Sequence, residues 1–198
     1  MIIGDGIDSN LPGGLIRVFV AIDFPTEVKD EIASVQSQLQ KLNLFSGKYV
    51  DPAHVHMTLK FIGYVYPSAL TPIMKVLKSV QFKPINATLG NVGVFKEGDF
   101  IRIIWLDIIS EEIYNLANNI ERVLSGGLIA RNRKFQSHIT LARIKSVKDS
   151  DLFMNRIKEI KIKSISFMID RFVIKQSNLT QDGPIYSDIE YFRAIKMQ

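Results

Sequence analysis

Apolar residues recur along this chain with two periods, and the period switches in a regular order. Residues 17–24 hold the run Val18-Phe19-Val20-Ala21-Ile22, the length of a strand, and Pro25 closes it. From Thr26, a residue type suited to an N-cap, Val28, Ile32, Val35, Leu39 and Leu42 return at helical spacing and stop before Ser46-Gly47. Residues 55–64 then alternate, with Val55, Met57, Leu59 and Phe61 on one face and His54, His56, Thr58 and Lys60 on the other, which predicts a half-buried strand. Leu70, Ile73, Met74, Leu77 and Val80 predict a helix over 67–80. Residues 82–95 and 100–108, either side of Glu97-Gly98-Asp99, read as a strand pair.

The second half repeats this order. Ile113, Leu116, Ala117, Ile120 and Leu124 predict a helix over 111–124, stopped by Ser125-Gly126-Gly127. Residues 136–144 alternate as a strand, and Leu152, Phe153, Ile157 and Ile160 predict a helix over 149–160. Residues 161–177 and 185–195 read as strands around Gln181-Asp182-Gly183-Pro184. Each half thus runs strand, helix, strand, helix, strands, which indicates an internal duplication. The short turn-linked pairs favour antiparallel pairing. The expected architecture is α+β: bilobal and pseudo-symmetric, with antiparallel sheets, helices packed outside and a central cleft. Residues 1–15 are expected to form an N-terminal arm and 16–198 a single bilobal domain.

The duplication matters because the alternating strand of each half carries the same short word. His56-Met57-Thr58-Leu59 and His138-Ile139-Thr140-Leu141 stand 82 positions apart (138 − 56) and use two of the three histidines. Within each word the period of two turns histidine and threonine to one side and the apolar residue to the core. An imidazole that titrates near neutral pH beside a hydroxyl that both donates and accepts suits acid–base work on an oxyanion. Two such strands suggest an acid and a base, one from each lobe. Lys60 shares the parity of His56 and Thr58 and is expected in the cleft. Arg143 falls on the opposite face from His138 unless the strand bends, and is retained as a candidate phosphate-binding residue. His54 has the parity to join the polar face but is read as structural.

Composition narrows the chemistry. Cysteine is absent, which excludes disulfides, zinc–thiolate sites and a cysteine nucleophile. The formal net charge is +5, from 25 Lys+Arg against 20 Asp+Glu, a bias toward phosphate-bearing partners. Part of it is local: Arg131, Arg133 and Lys134 precede the second word, and Arg143 and Lys145 follow it. No run approaches the ~18 apolar residues of a membrane span. Residues 1–14 carry Asp5 and Asp8 where a secretory signal needs basic residues. A cytoplasmic protein without membrane contact, working as a monomer, is the expectation.

Four blocks, in order, carry a resemblance to a known family. They are Arg17-Val18-Phe19-Val20-Ala21-Ile22; His56-Met57-Thr58-Leu59-Lys60-Phe61-Ile62-Gly63; His138-Ile139-Thr140-Leu141-Ala142-Arg143; and Ser177-Asn178-Leu179 with Gly183-Pro184-Ile185-Tyr186. Together they resemble the two-histidine phosphoesterase superfamily, and within it the RNA 2′,3′-cyclic phosphodiesterases also called 2′-5′ RNA ligases. The resemblance implies a bilobal fold with both words in the cleft. It makes His56 the proton donor and His138 the proton acceptor, with Thr58 and Thr140 hydrogen-bonding the phosphate. Two positions depart from the family pattern: Tyr49 stands where tryptophan is common ahead of the first word, and Ser137 where proline precedes the second histidine.

The implied reaction is hydrolysis of an RNA 2′,3′-cyclic phosphate end, tRNA fragments among the substrates, to a 2′-phosphate, with reversible 2′-5′ ligation as its counterpart. No metal and no cofactor are expected, and no Gly-rich loop ending in Lys-Ser/Thr points to ATP. Two other readings remain open at this level. One is a module that binds RNA ends without turning them over; the other is a related esterase acting on small cyclic phosphates or 2′-5′ oligonucleotides.

Overall fold

The structure, a computed structural model, describes residues 14–125, 135–180 and 183–195. The expected arm, the glycine stop at 126–127, the basic residues Arg131, Arg133 and Lys134, and the turn residues Gln181 and Asp182 lie outside the described residues. In chain order the strands are β1 (Ile16–Asp23), β2 (Phe45–Tyr49), β3 (His56–Val65), β4 (Ile85–Glu97), β5 (Phe100–Ile109), β6 (His138–Val147), β7 (Ser166–Ile169), β8 (Arg171–Thr180) and β9 (Gly183–Arg193). The helices are α1 (Thr26–Leu42), α2 (Leu70–Leu77), α3 (Glu111–Leu124) and α4 (Ser150–Arg156).

Where the apolar period is strong, the elements form as expected, and α3 keeps its predicted bounds. α2 is shorter than its stripe: Pro67–Ala69 makes a separate tight turn before it, and Val80 stays buried beyond its end. β2 is absent from the expected elements. Phe45-Ser46-Gly47-Lys48-Tyr49 has little strand pattern of its own and is extended because it pairs with β6.

The strands pair antiparallel, in two sheets of order β3-β1-β8-β9 and β2-β6-β5-β4-β7. Each sheet holds one histidine word, on β3 or β6, but each draws strands from both halves of the chain. The duplicated halves therefore exchange strands: β4–β5 joins the sheet of β6, and β8–β9 returns to β1. The exchange gives β1 and β5, the strands beside the words, hydrogen-bonded neighbours on both edges. One core runs between sheets and helices, taking Ile22, Val35, Leu59, Ile104, Leu116, Leu141 and Phe172 among others.

A repeated irregularity decides which side chains leave that core. Ala21 pairs with Thr58 but Val20 pairs with Lys60, so Leu59 is an extra residue in β3. In the other sheet Trp105 pairs with Thr140 but Ile104 with Ala142, so Leu141 is extra in β6. Each word thus ends in a β-bulge directly after its threonine, and the bulge reverses the facing of the residues that follow it, Lys60 and Phe61 in β3 and Ala142 and Arg143 in β6. The Leu141 carbonyl accepts hydrogen bonds from Val50 N at 3.0 Å and from Gln36 Nε2 on α1 at 2.9 Å.

Candidate active site

Before the bulges, both strands present what the period of two predicts. His56 and Thr58, and His138 and Thr140, are partly exposed on the outer faces, while Met57 and Ile139 between them are buried. The sheets meet at the words. Ser137 Oγ donates to the Ile108 carbonyl at 2.8 Å and lies 3.3 Å from Met57 Sδ, so the residue before the second histidine touches the residue after the first.

Beyond the bulges two expectations change. Lys60 is not a cleft residue: the extra Leu59 turns it into the core, where it is 2 % exposed and its ammonium lies 2.8 Å from Glu121 of α3. Its place on the outer face goes to Phe61, which is 53 % exposed and faces the Phe19 ring at 6.1 Å. The same slip turns Arg143 outward, near enough to His56 to act on its titration across the sheet boundary. Lys48 of β2 is its cross-strand neighbour. His54 lies in a tight turn, Pro52–His54, ahead of β3 rather than on the strand face, with its ring 3.8 Å from Asp51.

Both imidazoles are anchored alike. His56 Nδ1 lies 3.0 Å from the His54 carbonyl, and His138 Nδ1 lies 2.7 Å from the Gln136 carbonyl. A carbonyl can only accept, so each Nδ1 carries the hydrogen and each Nε2 is left for chemistry. Opposite each histidine in the ladder stands an aspartate, Asp23 by His56 and Asp107 by His138. Aromatic rings pack on both: Phe19 and Tyr186 at 4.9 and 4.8 Å from His56, Phe95 and Trp105 at 4.9 and 6.2 Å from His138.

Burial pushes both imidazoles below the usual histidine value, because it penalises the charged ring. At His56 the His54 carbonyl and Asp23 oppose the shift while Lys175 and Arg143 deepen it. At His138 the Gln136 carbonyl and Asp107 both oppose it. A cavity beside His56 is lined by Asp23, His54, Lys175, Tyr186 and Asp188. Among the described residues no three His, Cys, Asp or Glu side chains assemble as a metal site.

The rings around the histidines escape the sequence reading, although parity could have found two of them. Phe19 lies two places from Ala21 and four from Asp23 on β1, and Trp105 lies two from Asp107 on β5, so each shares a face with its aspartate. Tyr49 is not among the rings at the histidines. It packs against the core and against Phe45 at 5.5 Å, and burial pushes its phenol up to about 12.

Trp105 lies flat on Gly93, where an added Cβ would come within 2.4 to 2.7 Å of three indole atoms. Overpacking of this kind costs about 1–3 kcal/mol. Gly93→Ala is therefore expected to shift Trp105, and His138 with it. The emission of Trp105, the chain's one tryptophan, should move together with a fall in turnover. Unchanged emission and unchanged turnover would show that Gly93 does not position the ring.

Comparison with known proteins adds a family and a fold. The family described as LigT like Phosphoesterase matches residues 22–105 and again 106–186, one match around each histidine word. A Methanocaldococcus jannaschii protein named RNA 2′,3′-cyclic phosphodiesterase is 30% identical over 176 residues, covering 88% of this chain and 99% of its own. An Archaeoglobus fulgidus protein of the same name is 31% identical over 180 residues, covering 89% and 99%. A crystal structure of a Thermus thermophilus protein superposes with a TM-score of 0.74 at 22% identity, covering 90% of this chain and 97% of its own, and so shares the fold.

Proposed function

This chain belongs to the LigT like phosphoesterase family, and from that membership we propose that it hydrolyses 2′,3′-cyclic phosphodiester ends of RNA to 2′-phosphates. The observation that carries the reading is the pair of imidazoles on adjoining strands, each with Nδ1 tied to a carbonyl and Nε2 left for proton transfer. His138 Nε2 takes a proton from water as its oxygen attacks phosphorus. The bond from phosphorus to the ribose 3′ oxygen breaks, and His56 Nε2 delivers a proton to that oxygen. Thr58, Thr140 and Arg143 donate to the non-bridging oxygens, where charge develops. A ribose 5′-hydroxyl replacing water turns the same steps into 2′-5′ ligation. The donor and acceptor roles follow the family resemblance.

Fragments of tRNA are among the substrates this reading includes, with a monomer in the cytoplasm as the working form. No helix among the described residues is long and apolar enough to cross a membrane.

The reaction is tested with a cyclic-phosphate-ended RNA in EDTA, following phosphorus by NMR. The expected product is a 2′-phosphate, formed at the same rate with and without chelator. Exclusive 3′-phosphate overturns the leaving-group assignment, and loss of activity in EDTA overturns a metal-free mechanism. Salt-sensitive RNA binding without any product would favour the binding-module reading.

A further inference from the structure

The two words are related by pseudo-symmetry down to the aspartate across the ladder, yet one aspartate–histidine pair contains a cation. Lys175 on β8 is 7 % exposed, and its ammonium lies 3.0 Å from Asp23 Oδ1 and 2.5 Å from Asp188 Oδ1 on β9. Tyr191 donates to the other oxygen of Asp188 at 2.5 Å. Asp188 is thereby held below the usual carboxylate range: burial alone would raise it, but the hydrogen bonds from Lys175 and Tyr191 and the lysine's charge outweigh that. The position that corresponds to Lys175 in the other sheet is Phe95, since Lys175 pairs with Phe19 of β1 while Phe95 pairs with Ile103 of β5. No lysine or arginine among the described residues forms an ion pair with Asp107.

We propose that Lys175, seated between Asp23 and Asp188, is a positioning residue for His56: it fixes the Asp23 carboxylate across the ladder and sets the charge around that imidazole. It shares the Asp23 carboxylate with His56, so that imidazole has a carboxylate and a cation beside it, whereas His138 has Asp107 across its ladder. The carboxylate favours the protonated ring and the cation eases the loss of its proton, and a proton donor needs both. The proposal rests on the two-histidine hydrolysis proposed above.

The charged and titratable groups facing His56 are Asp23 from β1, Lys175 from β8, Asp188 behind it from β9 and Arg143 from β6, with the Tyr186 ring against it. Among the described residues, those facing His138 are Asp107 from β5, with the rings of Phe95 and Trp105. The test is an NMR titration of both imidazoles, with the pH profile of kcat/KM on a cyclic-phosphate RNA. Lys175→Met removes a cation and releases Asp23, so the His56 titration should move up by about 1 unit with His138 nearly still. The limb of the profile that follows His56 should move with it, and Lys175→Arg should restore both.

Asp188→Asn keeps the lysine and removes a negative charge, so it should move His56 the other way and covers the case in which Lys175→Met does not fold. An unmoved His56, or equal movement of both histidines, overturns the proposal. The titration needs no turnover, so it reads out even if the chain fails to hydrolyse cyclic phosphates; that failure would strike the proposed reaction instead.

Discussion

Alanine at His138 is expected to lower kcat on a cyclic-phosphate RNA end by about 10²–10⁴-fold, and alanine at His56 by a similar factor. The two losses should not multiply, because an acid and a base that move protons in one displacement act as a unit. Both histidines are partly exposed on the outer faces of their strands, so cooperative unfolding should persist in both variants. The roles separate with a substrate that carries sulfur in place of the ribose 3′ oxygen. A thiolate leaves without a proton, so this substrate should restore much of the turnover of His56→Ala and none of that of His138→Ala. The opposite pattern would exchange the two roles, and near-full activity of either variant on RNA would remove that histidine from the mechanism.

The bulge supplies the second large effect, through a contrast between two basic residues. Arg143→Met should cost about 10²–10³ in kcat/KM, the usual loss when one donor to a developing oxyanion is removed. Lys60→Met should leave turnover near that of the parent chain, because its ammonium is spent on Glu121 in the core. Stability should respond in the reverse sense. Arg143 is exposed, whereas Glu121→Ala leaves the Lys60 ammonium buried without its carboxylate, at an expected cost of about 3 kcal/mol. Replacing both, as Lys60→Met with Glu121→Leu, should recover most of that loss, since an apolar pair of similar volume commonly serves as well as a buried ion pair. Denaturant unfolding and steady-state kinetics on the same variants check both halves. A large catalytic loss in Lys60→Met would return Lys60 to the cleft and deny that the bulge sets the facing.

Periods of two and about three and a half placed β3, β6, α1 and α3, because each buries one face against a core and its apolar residues must repeat to do so. The repeated word exposed the duplication and both histidines for the same reason. β2 is not legible in the sequence because its five residues take their conformation from the edge of β6, not from a pattern of their own. That each sheet draws strands from both halves is not legible in the sequence: which strands share a sheet depends on edges brought together from distant parts of the chain, and local alternation carries no information on that.

By itself the sequence determined that two histidine–threonine strands would face away from a core, one in each half, in a basic chain without cysteine. Periodicity is a local property, and it is legible wherever burial is one-sided. The tertiary structure alone decided that Lys60 turns inward and Arg143 outward, that Phe19, Tyr186, Phe95 and Trp105 pack on the imidazoles, and that Lys175 intervenes at one aspartate and not the other. A single extra residue in a ladder inverts facing, and it is defined only relative to the partner strand. The chemistry of each histidine is set by side chains that pairing, rather than sequence distance, brings beside it.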